Sequence, residues 1–129
     1  MIDVVSIDHI VLAVSDIDKV CNFYEQILGI KATKSEAGKV SLNFVSQKIN
    51  LQPANNLPQI ASNTKIGSGN FCLLTQTPME EVVSHLNRCN VNIIEGPAIK
   101  DGAAGDLLSV YFRDVDGNLV EIANQLHLQ

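Results

Sequence analysis

Apolar and polar positions along the chain change period twice, in the same order each time. Residues 6–14, Ser6-Ile7-Asp8-His9-Ile10-Val11-Leu12-Ala13-Val14, form a β-branched, apolar run that stops at Ser15-Asp16, a pair able to cap a helix. Over 17–28, Ile17, Val20, Cys21, Tyr24 and Leu28 recur at helical spacing, and Gly29 supplies a C-terminal stop. Short β-type runs follow over 30–34, 40–45 and 48–52, separated by Glu36-Ala37-Gly38 and Ser46-Gln47. The predicted order is βαβββ.

A stretch over 53–68, rich in proline and asparagine and without periodicity, reads as a connection. The cycle then restarts with an apolar strand over 70–75. Thr77-Pro78-Met79-Glu80 combines an N-cap, a first-turn proline and a capping-box glutamate, and Met79, Val82, Val83 and Leu86 give the helix its buried face. Strands are expected over 92–99, 107–113 and 118–123, with Asp114-Val115-Asp116-Gly117 as a tight turn. The fold class is therefore α+β, one domain over 1–129 built of two tandem βαβββ modules at about 6–53 and 67–124. Offsets support the duplication: His9 to Asn70, Asp16 to Thr77 and Gly29 to Asn90 are each 61 residues apart. Further on, the offset grows to 68 for Phe44 to Phe112 and 71 for Asn50 to Glu121, with the insertions assigned to turns.

Strand alternation isolates two polar side chains in apolar runs. His9, Val11 and Ala13 share one face of the first strand, opposite Ile10, Leu12 and Val14. In the last strand Glu121 shares a face with Leu119 and Ala123, and a buried carboxylate there requires partners. Lys48, Asn50 and Gln52 form the polar face of the strand over 48–52; by the offsets Asn50 is the counterpart of Glu121, and Asn70 that of His9.

Composition narrows the function classes. The chain is 46% hydrophobic and 18% charged, outside the disordered regime, and its net charge of −5 without a basic cluster argues against nucleic acid as a partner. No run is long and apolar enough for a membrane span, and the first residues lack the pattern of a signal peptide, so a cytoplasmic location is expected. Cys21, Cys72 and Cys89, odd in number and set in apolar patterns, are expected to be buried free thiols. His85 and His127 read as solvated, Asp114 to Gly117 as a hairpin turn and not a calcium loop, and Gly102 to Gly105 as a flexible cleft loop.

Three segments, Asp8-His9-Ile10-Val11-Leu12-Ala13-Val14, Phe23-Tyr24-Glu25-Gln26-Ile27-Leu28-Gly29 and Tyr111-Phe112-Arg113-Asp114-Val115-Asp116-Gly117-Asn118-Leu119-Val120-Glu121-Ile122, resemble the vicinal oxygen chelate superfamily of glyoxalases, bleomycin- and fosfomycin-resistance proteins and extradiol dioxygenases. The stretches around Glu95-Gly96-Pro97 and Gly102-Ala103-Ala104-Gly105 are similar to small glyoxalase domain-containing proteins. The resemblance implies paired modules whose curled mixed sheets form open cups, usually completed by homodimerisation, around a divalent metal (Zn, Ni, Mn or Fe) held by one ligand from each of four strands. Carried over by position, those ligands fall on His9, on Gln52 or its same-face neighbour Asn50, on Asn70 and on Glu121. The amides weaken the charge compensation of the set.

The resemblance thus implies a metal-dependent lyase or isomerase, with Glu121 moving a proton on a small oxygen-bearing substrate. Extradiol dioxygenation is disfavoured because Asn70 removes a second histidine. The alternative is a non-catalytic, drug-sequestering binding protein of the bleomycin-resistance kind; the inert alternative is a His9–Glu121 ion pair.

Overall fold

A computed structural model of the chain describes residues 1–54 and 61–126. The element order is β1 (His9–Val14), α1 (Ile17–Leu28), β2 (Lys31–Lys34), β3 (Val40–Phe44), β4 (Gln47–Pro53), β5 (Asn70–Leu74), α2 (Met79–Arg88), β6 (Glu95–Gly102), β7 (Gly105–Arg113) and β8 (Leu119–Gln125). This is the expected α+β pattern, βαβββ twice. The chain divides into two compact units, Met1–Gly67 and Ser68–Gln129. Among the described residues no helix is long and apolar enough to cross a membrane.

Each unit contains one four-stranded mixed sheet. The strand orders are β1-β4-β3-β2 and β5-β8-β7-β6, with β1 parallel to β4, β5 parallel to β8, and antiparallel pairing elsewhere. Register gives a stricter measure of the duplication than linear offsets. Asn50 lies between Val11 and Ser41, and Glu121 between Cys72 and Tyr111, so Asn50 and Glu121 are equivalent as expected. The pairing of Phe44 with Phe112 fails: Ser41 and Tyr111 are equivalent, 70 residues apart, which makes Leu42 the counterpart of Phe112. Nearly all of the insertion therefore precedes β7.

In the first unit α1 has the boundaries its local signals specify. Asp16 accepts a hydrogen bond from the Lys19 N–H at 3.1 Å, and Gly29 takes the left-handed conformation (φ 66°) while its N–H bonds the Glu25 carbonyl. Such a cap contributes about 1 kcal/mol. Val20 and Tyr24 on α1 are buried on the sheet side that also buries Leu12, Leu42, Ile49 and Leu51. In the second unit Met79, Val82 and Leu86 of α2 are buried, as are Val110, Phe112 and Val120 of the sheet.

Four local expectations need correction. Thr77 does not cap α2: the N-cap is Pro78, without a side-chain bond, and the Thr77 N–H instead donates to Thr75 Oγ1 at 3.1 Å. β6 runs later than 92–99, because a bulge between Glu95 and Ala98 resets its register and pairing continues through polar Lys100 and Asp101 to Gly102. Gly102 pairs with Gly105, so Gly102 to Gly105 forms a tight β6–β7 hairpin and not a cleft loop. β1 begins at His9, where pairing with Lys48 begins, three residues later than Ser6.

Candidate functional site

In the first unit, alternation on β1 and β4 puts His9 and Val11 on the same sheet face as Lys48 and Asn50, opposite the side covered by α1. His9 is the first residue of β1 and is partly exposed; its Nδ1 lies 2.9 Å from Asp8 Oδ2. With Nδ1–H donating to that carboxylate, Nε2 keeps its lone pair for a ligand. His9 pairs directly with Lys48. Asn50 is therefore its diagonal neighbour, at about 7 Å, and Gln52, opposite Ala13, lies a further two residues along. Both amides are half-buried.

In the second unit Glu121 is half-buried on β8 and belongs to a row that crosses the whole sheet: Glu95 on β6, Tyr111 on β7, Glu121, and Cys72 on β5. Tyr111 on β7 and Cys72 on β5 are the direct cross-strand neighbours of Glu121. Partial desolvation first, then the negative charge of Glu121, push the Cys72 thiol up to about 11. Desolvation first, then Glu121 and the other nearby negative charges, push the Tyr111 hydroxyl up to about 12. Lys100 Nζ bonds Glu95 Oε2 at 2.6 Å and stands 5.5 Å from the centre of the Tyr111 ring. Asn70, the first residue of β5, is exposed and diagonal to Glu121, repeating the relation of His9 to Asn50.

Within each sheet the expected positions therefore lie on one face. Tyr111 and Cys72 emerge as partners that single-strand patterns missed. Cys72 is exposed, not buried in the core, because alternation sets it with Asn70 and Leu74 away from Phe71 and Leu73. That alternation was available in the sequence; the contact with Tyr111 required the β7–β8 register. His85 is half-buried against Cys89, with Nε2 3.7 Å from the sulfur, and is not simply solvated; His127 lies outside the described residues.

Over residues 6–122 the chain matches the family model of the Glyoxalase/Bleomycin resistance protein/Dioxygenase superfamily. The chain belongs to that superfamily. It is 43% identical over 118 residues to virulence protein STM3117 of Salmonella typhimurium, covering 91% of this chain and 82% of that protein. The crystal structure of STM3117 superimposes with a TM-score of 0.93 at 40% identity, covering 97% of this chain and all of that one. Glyoxalase domain-containing protein RDO1 of Mycosarcoma maydis is 35% identical over 120 residues, 92% of this chain and 68% of that protein. Metallothiol transferase FosB of Staphylococcus saprophyticus is 30% identical over 117 residues, 91% of this chain and 75% of that protein.

The implied divalent ion can be tested against the donors. One imidazole, one carboxylate and two amide oxygens suit an oxygen-preferring cation such as Mn2+ better than Zn2+, which favours imidazole and thiolate. In the first unit Asp8, 2.9 Å from His9 Nδ1, would orient the imidazole as a ligand, and in the second Tyr111 and Cys72 flank the Glu121 carboxylate. Among the described residues no three His, Cys, Asp or Glu side chains form a metal cluster.

Proposed function

We propose that this superfamily member is a divalent-metal-dependent lyase or isomerase acting on a small substrate with adjacent oxygens, and that Glu121 moves the proton. The reading is supported by the row of Tyr111, Glu121 and Cys72: a half-buried carboxylate on an inner strand, flanked in register by a phenol on one side and a thiol on the other. Flanking side chains limit the directions open to the carboxylate, and its lone pairs can take a proton from a substrate on that face. His9 through Nε2, Glu121, Asn70 and an amide of β4 would hold the ion; the diagonal placement of Asn50 favours it over Gln52. A bound divalent ion would supply Lewis-acid polarisation to the adjacent substrate oxygens, leaving Glu121 to take up and return the proton. The kinship with a glyoxalase domain protein and a metallothiol transferase supports the same reading. A homodimer in the cytoplasm is the proposed setting.

Metal analysis of protein purified without chelators tests it. The parent should take up Mn2+, Ni2+ or Zn2+ stoichiometrically, His9→Ala and Glu121→Gln should lose most of it, and a parent that binds none at saturation rejects the reading. The amides at two ligand positions favour a second reading, a metal-free small-molecule-binding or drug-sequestering protein, which that rejection would leave standing.

A further inference from the structure

The ligand-side face of the first unit carries a second cross-strand row, of which the proposed chemistry uses only His9. Lys31 on β2 pairs with Asn43 on β3, Asn43 with Lys48 on β4, and Lys48 with His9 on β1. In-register residues project to the same side of a sheet, so these four side chains share the face that carries Asn50. The adjoining row on that face is Thr33, Ser41, Asn50 and Val11. Neither row contains a carboxylate, although acidic residues outnumber basic ones 14 to 9 in the chain. Among the described residues neither Lys31 nor Lys48 is seen in an ion pair, whereas Lys100 of the second unit pairs with Glu95. Asp8, the acid beside this row, is engaged by His9 Nδ1.

One strand, β3, lies between the lysines, two inter-strand spacings or about 10 Å between their backbones, a span that two flexible four-carbon stems can close around one small group. The floor between them is already ordered. Asn43 Nδ2 donates to Thr33 Oγ1 at 2.7 Å and to the Ser41 carbonyl at 3.1 Å, and the Thr33 and Ser41 hydroxyls are 3.3 Å apart. At about 10 Å two exposed ammonium groups repel only weakly, so both can turn toward one anion set between them.

We infer that the row of Lys31, Asn43 and Lys48 is an oxyanion-recognition element, so that the ligand of this protein is a small anion whose carboxylate or phosphate group docks on the sheet of the first unit. Lys31 and Lys48 supply the charge and the donors, while the buried Ser41 hydroxyl, spent on Asn43 Oδ1 at 3.4 Å, and Thr33, accepting from Asn43, keep the floor between them ordered. The inference deepens the proposed function by naming the charge class of its ligand. It rests on that reading only for the choice of ligand-side face, and it needs neither the metal nor the reaction.

The test is a nuclear magnetic resonance titration of the full, 15N-labelled chain, stripped of metal beforehand, with inorganic phosphate, with acetate, and with tetramethylammonium as the cationic control. Either anion should produce saturable shifts at backbone amides of β2, β3 and β4, and the cation none. Lys31→Met and Lys48→Met should each weaken phosphate about tenfold, with Lys48→Arg retaining most of it. Added salt should weaken binding. Absence of saturable shifts on those strands, or shifts that survive in the folded Lys31→Met/Lys48→Met double variant, would overturn the inference. Failure of the parent to take up metal removes the proposed reaction and leaves this result intact, so the two failures are distinguishable.

Discussion

β8, the strand that carries Glu121, is anchored at its start by a buried asparagine whose removal should be costly. Asn118 is 1% exposed; its Nδ2 donates to Asp114 Oδ2 at 2.9 Å, and its Oδ1 accepts from the Gly69 N–H at 2.7 Å. The backbone contributes Asn118 N–H to Asp114 Oδ1 at 3.0 Å and Leu119 N–H to the Gly69 carbonyl at 2.9 Å. The side chain thus ties the β7–β8 turn to the residue before β5. Asn118→Ala leaves the backbone bonds and removes both side-chain bonds, one of them to a charged acceptor. A charge-assisted bond contributes roughly 1.5–3 kcal/mol and a neutral one about 1 kcal/mol, and a buried amide left unpaired adds to the loss. The expected destabilisation is about 3 kcal/mol, or about a hundredfold in the folding constant. Urea unfolding followed by circular dichroism is the assay, since the chain has no tryptophan. A double-mutant cycle with Asp114→Ala should return a coupling of at least about 1 kcal/mol. A loss below about 1 kcal/mol for Asn118→Ala, or additive losses in the cycle, would refute the anchoring role.

Three further outcomes follow from single residues. Val45, at the fully exposed tip of the β3–β4 hairpin, is a β-branched residue at φ 48°, so Val45→Asn should stabilise by about 1 kcal/mol; an unchanged or lower melting temperature counts against backbone strain there. Ser109 is fully buried on β7 and among the described residues its hydroxyl has no hydrogen-bond partner, so Ser109→Ala should be neutral or stabilise by up to about 1 kcal/mol; a clear loss in urea unfolding would refute an unpaired hydroxyl. In a Cys21→Ala/Cys89→Ala background, a Cys72 thiol at about 11 is only about one part in a thousand thiolate at about pH 8, so alkylation by iodoacetamide should be slow. Glu121→Gln removes the charge but not the burial, and should speed that alkylation about tenfold; equal rates would deny the contact. Because the folded-state value lies above the ordinary 9.0, the stabilisation from the protonated thiol is complete below about pH 9 and fades as pH rises through about 11.

What could be read in the sequence was what is decided within a few neighbours. Asp16 and Gly29 act on backbone groups within their own helix, and α1 has the boundaries they specify. His9 and Glu121 stood out because period-two alternation is local to a strand. β6 was misplaced because Val91, Ile93 and Ile94 supply apolar content just before the strand, while pairing with β7 sets the strand itself, which runs on through polar residues to the Gly102 turn. The local signal at Thr77 failed for a related reason: its backbone carbonyl is taken by Asn124 Nδ2 at 2.8 Å, a partner 47 residues away, and the chain enters α2 through Pro78 instead. The partners of Glu121 were out of reach for the same cause, since Tyr111 and Cys72 come beside it only through the pairings of β8 with β7 and β5.

Register also shows how one duplicated scaffold supplies two different kinds of chemistry. At equivalent places the first unit has Ser41, Asn50 and Val11 where the second has Tyr111, Glu121 and Cys72. In the neighbouring row the first unit has Asn43, Lys48 and His9 where the second has Arg113, Leu119 and Asn70. The pairing of the three strands that carry these rows is the same in both units, and the exchanged side chains lie on the face opposite the cores beneath α1 and α2. One copy presents an imidazole beside a lysine row; the other presents a carboxylate flanked by a thiol and a phenol. Within one sheet a lysine and a carboxylate on the same face readily pair, as Lys100 and Glu95 do at 2.6 Å. Placing a lysine in the second unit by Leu119→Lys, two residues from Glu121 on the same face, should therefore draw that carboxylate into an ion pair and abolish the proton transfer proposed for Glu121, while Leu119→Met leaves it intact. Equal activity of the two variants would show that the proposed reaction does not depend on a carboxylate free of a cationic neighbour.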